Sequence, residues 1–485
     1  MNYKMVGRFM FLIIITEAIF MVPAWLISLV SGEDASASAF AITIVGAMVV
    51  GLLGLMWCRK AERHFYAREG LVSAGLGWIV MSLVGCIPFM LSGEIPTFID
   101  AFFETVSGFT TTGASILTDV EAMSKGMLYW RSFTHWLGGM GVMVFLLAVV
   151  PASSKGSGFT MHLLRAESPG PNVGKLVPRM RQTATILYML YVALTFLCFI
   201  FLLIGKMDPF EAICTAYGTA GTGGFGVKND SLAGYSVYIQ NVCTVFMLLF
   251  GVNFTCYYLL LLGRVRDVLK DEELRLYLGL IISSVVLISI NTRHMFDSLG
   301  QTVQQVAFQV ATIITTTGYA TTDFDLWPTF SKAIIIILMF CGASAGSTGG
   351  GFKCGRVLLL FKNLRRNMQK TLNPQKVLVV RNNGQMVSEK VLDNLNTYLI
   401  AYVLITIFSF LLLCLDGKSL TTTMTAVIAC FNNIGPGLDG VGPTCNYHLF
   451  SGMSKVILIF DMLAGRLEIF PIMVLLSKNT WKKLG

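Results

Sequence analysis

Thr111-Thr112-Gly113, Gly221-Thr222-Gly223, Thr316-Thr317-Gly318 and Asn433-Ile434-Gly435 are the residues of this chain whose types and spacing suggest chemistry. Each tripeptide lies between two apolar stretches, and the glycines that close them are 110, 95 and 117 residues apart. Near-regular recurrence of this kind marks an internal repeat. Glycine permits φ > 0 and keeps a side chain off the axis of a narrow passage. Threonine offers a hydroxyl to backbone or ion. Irregular backbone at membrane depth persists only where protein or water surrounds it. Four such loops brought together form a ring of carbonyl oxygens, which can replace the water around a potassium ion.

The elements that must position these loops are apolar helices. The chain has 485 residues, 54% hydrophobic and 13% charged, with a mean hydropathy of +0.69. Soluble proteins carry roughly 25% charged residues, so this chain is polytopic. A span needs about 20 apolar residues. Ten are expected, near 8–30, 39–58, 71–91, 127–151, 183–204, 237–262, 274–291, 326–361, 395–416 and 453–477. Four shorter stretches, near 98–110, 209–220, 300–315 and 419–433, cannot cross and read as re-entrant half-helices ending at the marked glycines. The fold class is an all-α polytopic membrane protein. Four pseudo-repeated helix–pore loop–helix units surround one pore, and two extra transmembrane helices precede them. The expected divisions are 1–70, 71–151, 152–262, 263–361 and 362–485.

With the N-terminus in the cytosol, 27 of the 36 basic residues fall on cytosolic segments, as the positive-inside rule requires. The net charge of +9 therefore reflects topology and contact with membrane lipid. The charges are spread over separate loops, which argues against nucleic acid as a partner. Each half-helix then enters from outside and aims its partial negative C-terminal end at the membrane centre, favouring a cation there. Asp100 and Glu104 are expected to add negative charge near the outer mouth. The first apolar segment is too long for a signal peptide and is interrupted by Glu17. Eleven cysteines form no CxxC pair, and His64, His135, His162, His294 and His448 lack metal-ligand spacing.

A second glycine-rich stretch, Gly342 to Lys353, lies inside the eighth span and contains Gly346, Ser347, Thr348, Gly349, Gly350 and Gly351. It is not a phosphate-binding loop, because Phe352 stands where the lysine belongs. Three successive glycines, each costing about 1 kcal/mol against alanine, should break the helix. The break is expected to act as a gate beneath the four loops. Arg466, inside the last span, is an intramembrane charge and by default a functional candidate, either a barrier to cations that pairs with gate-loop oxygens or half of an ion pair with Asp461, Glu468 or another helix. Arg131, beside Trp130, reads as an interfacial anchor. Gly221-Thr222-Gly223-Gly224-Phe225-Gly226 matches GxGxxG but follows an apolar helix rather than a strand, so a dinucleotide site is not expected. An enzyme is not expected either: no HExxH occurs and the intramembrane acids are scattered.

The segments TTTGA, GTGGFG, TTTGY and NIGPG, with AGSTGGGFK inside a span, resemble the Trk/Ktr/HKT superfamily of potassium transporters. The two extra N-terminal spans are similar to the Trk branch. The resemblance implies four filter loops around one pore in each subunit of a homodimer. The filter glycines would be Gly113, Gly223, Gly318 and Gly435, the gate 342–353, and the pore arginine Arg466. It implies potassium as the transported ion, with no bound cofactor, and residence in the bacterial inner membrane with both termini cytosolic. It also implies a separate cytosolic ring that binds nucleotides. Gly113, where sodium-carrying relatives often have serine, favours potassium. The unequal loops leave room for a sodium or mixed-cation pathway.

Overall fold

A computed structural model describes residues 1–59, 67–139, 141 and 180–481. In chain order its helices are α1 (Tyr3–Val30), α2 (Asp34–Trp57), α3 (Ala67–Gly85), α4 (Ile87–Leu91), α5 (Phe98–Phe109), α6 (Lys125–Gly139), α7 (Met180–Ile204), α8 (Pro209–Gly221), α9 (Val237–Phe250), α10 (Phe254–Leu261), α11 (Val265–Lys270), α12 (Glu272–Thr292), α13 (Leu299–Ile314), α14 (Thr329–Cys341), α15 (Cys354–Leu372), α16 (Glu389–Leu413), α17 (Leu420–Phe431), α18 (Gly452–Arg466) and α19 (Phe470–Leu476). Among the described residues the only strand pairing is a two-residue hairpin, Arg381–Asn382 with Gln385–Met386.

Six described helices are long and apolar enough to cross a bilayer: α1, α2, α3 continued through α4, α7, α12 and α16. Large apolar side chains such as Val45, Leu53, Ile282 and Phe408 are exposed on them, the state expected where lipid rather than water is the solvent. Both described ends of the chain meet on one side. The Tyr3 hydroxyl donates to the Trp481 carbonyl at 2.7 Å, and Asn2 N donates to Glu69 at 3.2 Å.

The four half-helices are α5, α8, α13 and α17. Their starts are set by small polar residues, which satisfy first-turn N–H groups that have no partner within the helix. Asp208 accepts from Phe210 N at 2.9 Å, Ser298 from Gln301 N at 3.2 Å and Ser419 from Thr422 N at 3.1 Å. Thr97 holds the same place before α5, without a side-chain cap bond. Each half-helix is followed by a second helix: α6, α9, α14 and α18.

These second helices run 15, 14, 13 and 15 residues, so the spans expected at 237–262, 326–361 and 453–477 are all broken. Only the break in the third repeat was legible. In the second, α9 stops at Gly251, and Asn253 caps α10, which leaves at 88°. In the fourth, Glu468 and Ile469 take φ of 58° and 67° after α18, and Pro471 opens α19. In the first, Gly141 has φ 77°; most of 140–151 lies outside the described residues, as does the basic stretch 152–179. Close approach makes glycine necessary at two of these helix ends. A Cβ on Gly138 or Gly465 would strike the carbonyl oxygen of Phe109 or Phe431, the last residues of α5 and α17.

Candidate functional site

The four half-helices end in the same backbone motif. Thr111, Thr222, Thr316 and Asn433 take left-handed φ of 56°, 54°, 58° and 54°. The next residue folds its N–H back onto its own helix: Thr112 N to Ser107 O at 2.9 Å, Gly223 N to Gly218 O at 2.9 Å, Thr317 N to Thr312 O at 2.8 Å and Ile434 N to Ala429 O at 2.9 Å. This is the Schellman closure of a helix C-terminus. Gly113, Gly224, Gly318 and Gly435 follow with φ of 78°, 75°, 87° and 94°.

That pattern corrects the register of the second loop by one residue. The counterpart of Gly113 is Gly224, not Gly223, and Thr222-Gly223-Gly224 matches Thr111-Thr112-Gly113. The sequence offers three glycines within four residues there, so spacing alone could not choose among them. Gly221 is the last residue of α8 and packs against the His135 backbone.

The loops close on one another in chain order. The carbonyl oxygens of Gly223, Thr317, Ile434 and Thr112 lie so near Gly113, Gly224, Gly318 and Gly435 that a Cβ on any of these glycines would come within 3 Å of them. Among the described residues these four oxygens accept no backbone hydrogen bond. Buried carbonyls are normally paired, and a ring of unpaired ones facing a common space suits a cation. All four glycines line a cavity of about 100 Å³ on one side of the ring, together with Ser115, Arg131 and Tyr447. The C-terminal ends of four helices converge on the ring, and their dipoles favour positive charge.

The ring is not uniform. Asn433 replaces threonine and donates to Thr112 Oγ1 at 2.9 Å and Met462 O at 3.0 Å. The Tyr447 hydroxyl donates to Gly435 O at 2.6 Å, so the carbonyl of one ring glycine is already engaged.

Residues 342–353, between α14 and α15, lie against the other side of loops three and four. Gly350 N donates to Thr316 Oγ1 at 2.6 Å. A Cβ on Gly349 or Gly350 would meet Thr315 O at 2.8 Å or Asn432 O at 2.6 Å. Gly346 O accepts from Phe254 N at 3.0 Å and Ser344 N donates to Gly251 O at 3.1 Å, so the break in α9–α10 cradles the segment. Gly342, Gly346, Gly351 and Lys353 have φ of 66°, 72°, 79° and 77°. Lys353 is buried and donates to Gly349 O. Ser347 turns back onto Ser344 O at 2.6 Å. Glu273, at the start of α12, accepts from Ala345 N at 2.5 Å.

Arg466, at the C-terminus of α18, joins this segment to the ring. Its guanidinium donates to Thr348 O at 3.0 Å, Thr111 Oγ1 at 3.1 Å, Gly139 O at 2.9 Å and Gly138 O. The acids considered as its partners have other bonds: Glu468 pairs with Arg356 at 2.5 Å, and Asp461 accepts from Ser409 at 2.6 Å.

Three sequence expectations about charge need correction. Glu104 is buried against Arg131 at 2.6 Å, and Asp100 pairs with Lys455 at 2.5 Å. Neither gives the outer mouth a free negative charge. Arg131 is 3% exposed and is no interfacial anchor. Two exposed acids in the segments that follow loops one and four keep their charge. The Asn229 amide, donating at 2.8 Å, holds Asp119 below the usual carboxylate range, and the Ser419 and Thr422 hydroxyls do the same for Asp439. Sequence reasoning also passed over His135, whose ring touches loop two, and Glu273. Their only signals were polar residues in apolar helices.

A helical membrane protein built from four pore-loop repeats, with the second helix broken in repeats two, three and four, is the class these features define. Residues 36–483 match the TrkH family of cation transport proteins. The chain is 34% identical over 491 residues to the Trk system potassium uptake protein TrkH of Escherichia coli K12, covering all of both chains. It is 31% identical to the Trk system potassium uptake protein TrkG of the same organism, covering 95% of each. The crystal structure of the potassium transporter TrkH from Vibrio parahaemolyticus superposes with a TM-score of 0.89 at 28% identity, over 99% of this chain and all of that one. The chain belongs to the TrkH cation transport family, a family of transporters and not of enzymes.

Proposed function

We propose that this protein takes up potassium ions across the bacterial inner membrane, with both termini in the cytosol, through the ring formed by residues 111–113, 222–224, 316–318 and 433–435. The observation that carries the reading is the set of four inward-packed carbonyls without backbone donors. The relatives named as potassium uptake proteins support it. Potassium is the substrate, held by backbone oxygens as it passes. Residues 342–353 and Arg466 form the gate: they fill the space beneath loops three and four and are tied to loop one. The subunit works as a homodimer under a separate cytosolic nucleotide-binding ring, which docks on the basic face around α15.

A sodium or mixed-cation pathway is the second reading. It is favoured by the engagement of Gly435 O by Tyr447, which withdraws the carbonyl of one ring glycine. Purified full-length protein in potassium-loaded liposomes, taking up labelled rubidium against external potassium or sodium, separates the two. Competition by potassium at far lower concentration than sodium supports the first reading, and equal competition supports the second.

A further inference from the structure

We infer that Arg131, Glu104 and His135 form an ionic clamp that sets the spacing of loops one and two, and so determines ion selectivity without touching the ion. The inference rests on the filter reading above. Arg131 and His135 are four residues apart on α6, and Glu104 and Gly108 are four apart on α5, so the two pairs face each other one turn apart. Arg131 Nε donates to Glu104 Oε1 at 2.6 Å. His135 Nδ1 lies 2.7 Å from Gly108 O, and its Nε2 accepts from Phe225 N at 3.2 Å, which fixes the neutral Nδ1–H tautomer.

The clamp reaches the residues just beyond the ring glycines of both loops. In loop one, Ile116 N donates to Glu104 Oε2 at 2.9 Å, and Ser115 Oγ lies 3.0 Å from Glu104 and 3.1 Å from Arg131 Nη2. In loop two, Gly226 O accepts from Arg131 Nη1 at 3.0 Å. The Phe225 ring takes the guanidinium at 3.6 Å from its centroid and lies 4.1 Å from the imidazole centroid. A planar, forked cation can hold two loops and a carboxylate at once, which an ammonium cannot.

The other half of the ring lacks this device. Counting back from the helix-end glycines Gly138, Gly342 and Gly465, the places of Arg131 and His135 are taken by Ile335 and Met339 in the third repeat. In the fourth they are taken by Leu458 and Met462. All four are buried. Loop four is anchored by the neutral phenol of Tyr447 instead. A buried ion pair offers little net stability over an apolar replacement, so its presence here fits a role in fixing geometry.

The test is the bi-ionic potassium/sodium reversal potential of the full-length protein in planar bilayers. Removing one charge alone strands the other, so the main variant is the neutral pair Glu104→Gln with Arg131→Met. Ser115→Ala removes the hydroxyl that bridges Glu104 and Arg131 to loop one, leaving only the bond from Ile116 N, with little effect on burial. Arg131→Lys keeps the charge and loses the fork. The clamp predicts that potassium preference falls by about tenfold in the neutral pair, the discrimination of roughly one hydrogen bond. It predicts smaller falls in Ser115→Ala and Arg131→Lys. Gly113→Ser is measured alongside. Unchanged preference in folded Ser115→Ala and Arg131→Lys, with Gly113→Ser altered, overturns the clamp and leaves the filter standing. Unchanged preference in Gly113→Ser as well overturns the filter reading itself.

Discussion

Arg466→Ala should release the gate, and the size of the effect follows from the contacts. Of the hydrogen bonds described for the guanidinium, three go to Thr111, Gly138 and Gly139, which belong to the frame of the pore. The one to Thr348 O, at 3.0 Å, holds the segment 342–353. A hydrogen bond from a charged donor contributes about 1.5–3 kcal/mol. If that bond exists only with the segment in place, its loss shifts the open-to-closed ratio by about 10- to 150-fold. The frame bonds do not distinguish the two states and drop out of the ratio, though their loss lowers stability. Arg466→Lys keeps the charge with poorer geometry and should shift the ratio less. Open probability of single proteins in planar bilayers reads the effect directly, and thermal melting of the purified variants reports the frame. A variant that melts like the parent and gates like the parent would refute the latch. So would a loss of stability with no change in gating, which is what a purely structural arginine predicts.

Deleting Gly346 to Gly351 should raise rubidium flux, because that stretch fills the space against Thr316 and Asn433; flux at the parent level from well-folded protein would make the break a static kink. Gly113→Ser and Gly224→Ala each force a side chain onto a neighbouring carbonyl at positive φ, so both should lower potassium preference in reversal-potential measurements. Parent-like preference in Gly224→Ala would restore the register that centres on Gly223. Arg365 is exposed on α15, whereas Arg366 is bound to Glu389 at 2.5 Å. Arg365→Glu should therefore weaken co-purification with a nucleotide-binding partner without altering ion preference, and full retention of binding would place the docking site elsewhere.

The repeat was legible because each loop needs the same local chemistry: a half-helix opened by a small polar residue, then residues that tolerate left-handed backbone. Thr97, Asp208, Ser298 and Ser419 stand before the half-helices, and a glycine follows each. Where glycine is over-supplied, as in Gly221 to Gly226, composition cannot fix register; the φ values and the bond from Gly223 N to Gly218 O decide it. The break after Cys341 was visible because three glycines adjoin. The breaks at Gly251 and after Arg466 were not. A single glycine is tolerated in a helix, and Glu468 and Ile469 are poor advertisements for positive φ. The pairs Glu104–Arg131, buried, and Asp100–Lys455, half-buried, were misread because their partners lie 27 and 355 residues apart. Sequence shows an acid near a mouth. Only packing shows that its charge is already neutralised.

The central claim is that backbone carbonyls of four unequal loops select potassium. The most direct measurement is the potassium/sodium permeability ratio of the purified, full-length protein, taken from the bi-ionic reversal potential with Arg466→Ala present to hold the gate open. The account predicts a ratio well above one that falls toward one when Gly113 is replaced by serine. A ratio of one in the Gly113 parent, or a high ratio that survives serine at position 113, would contradict it.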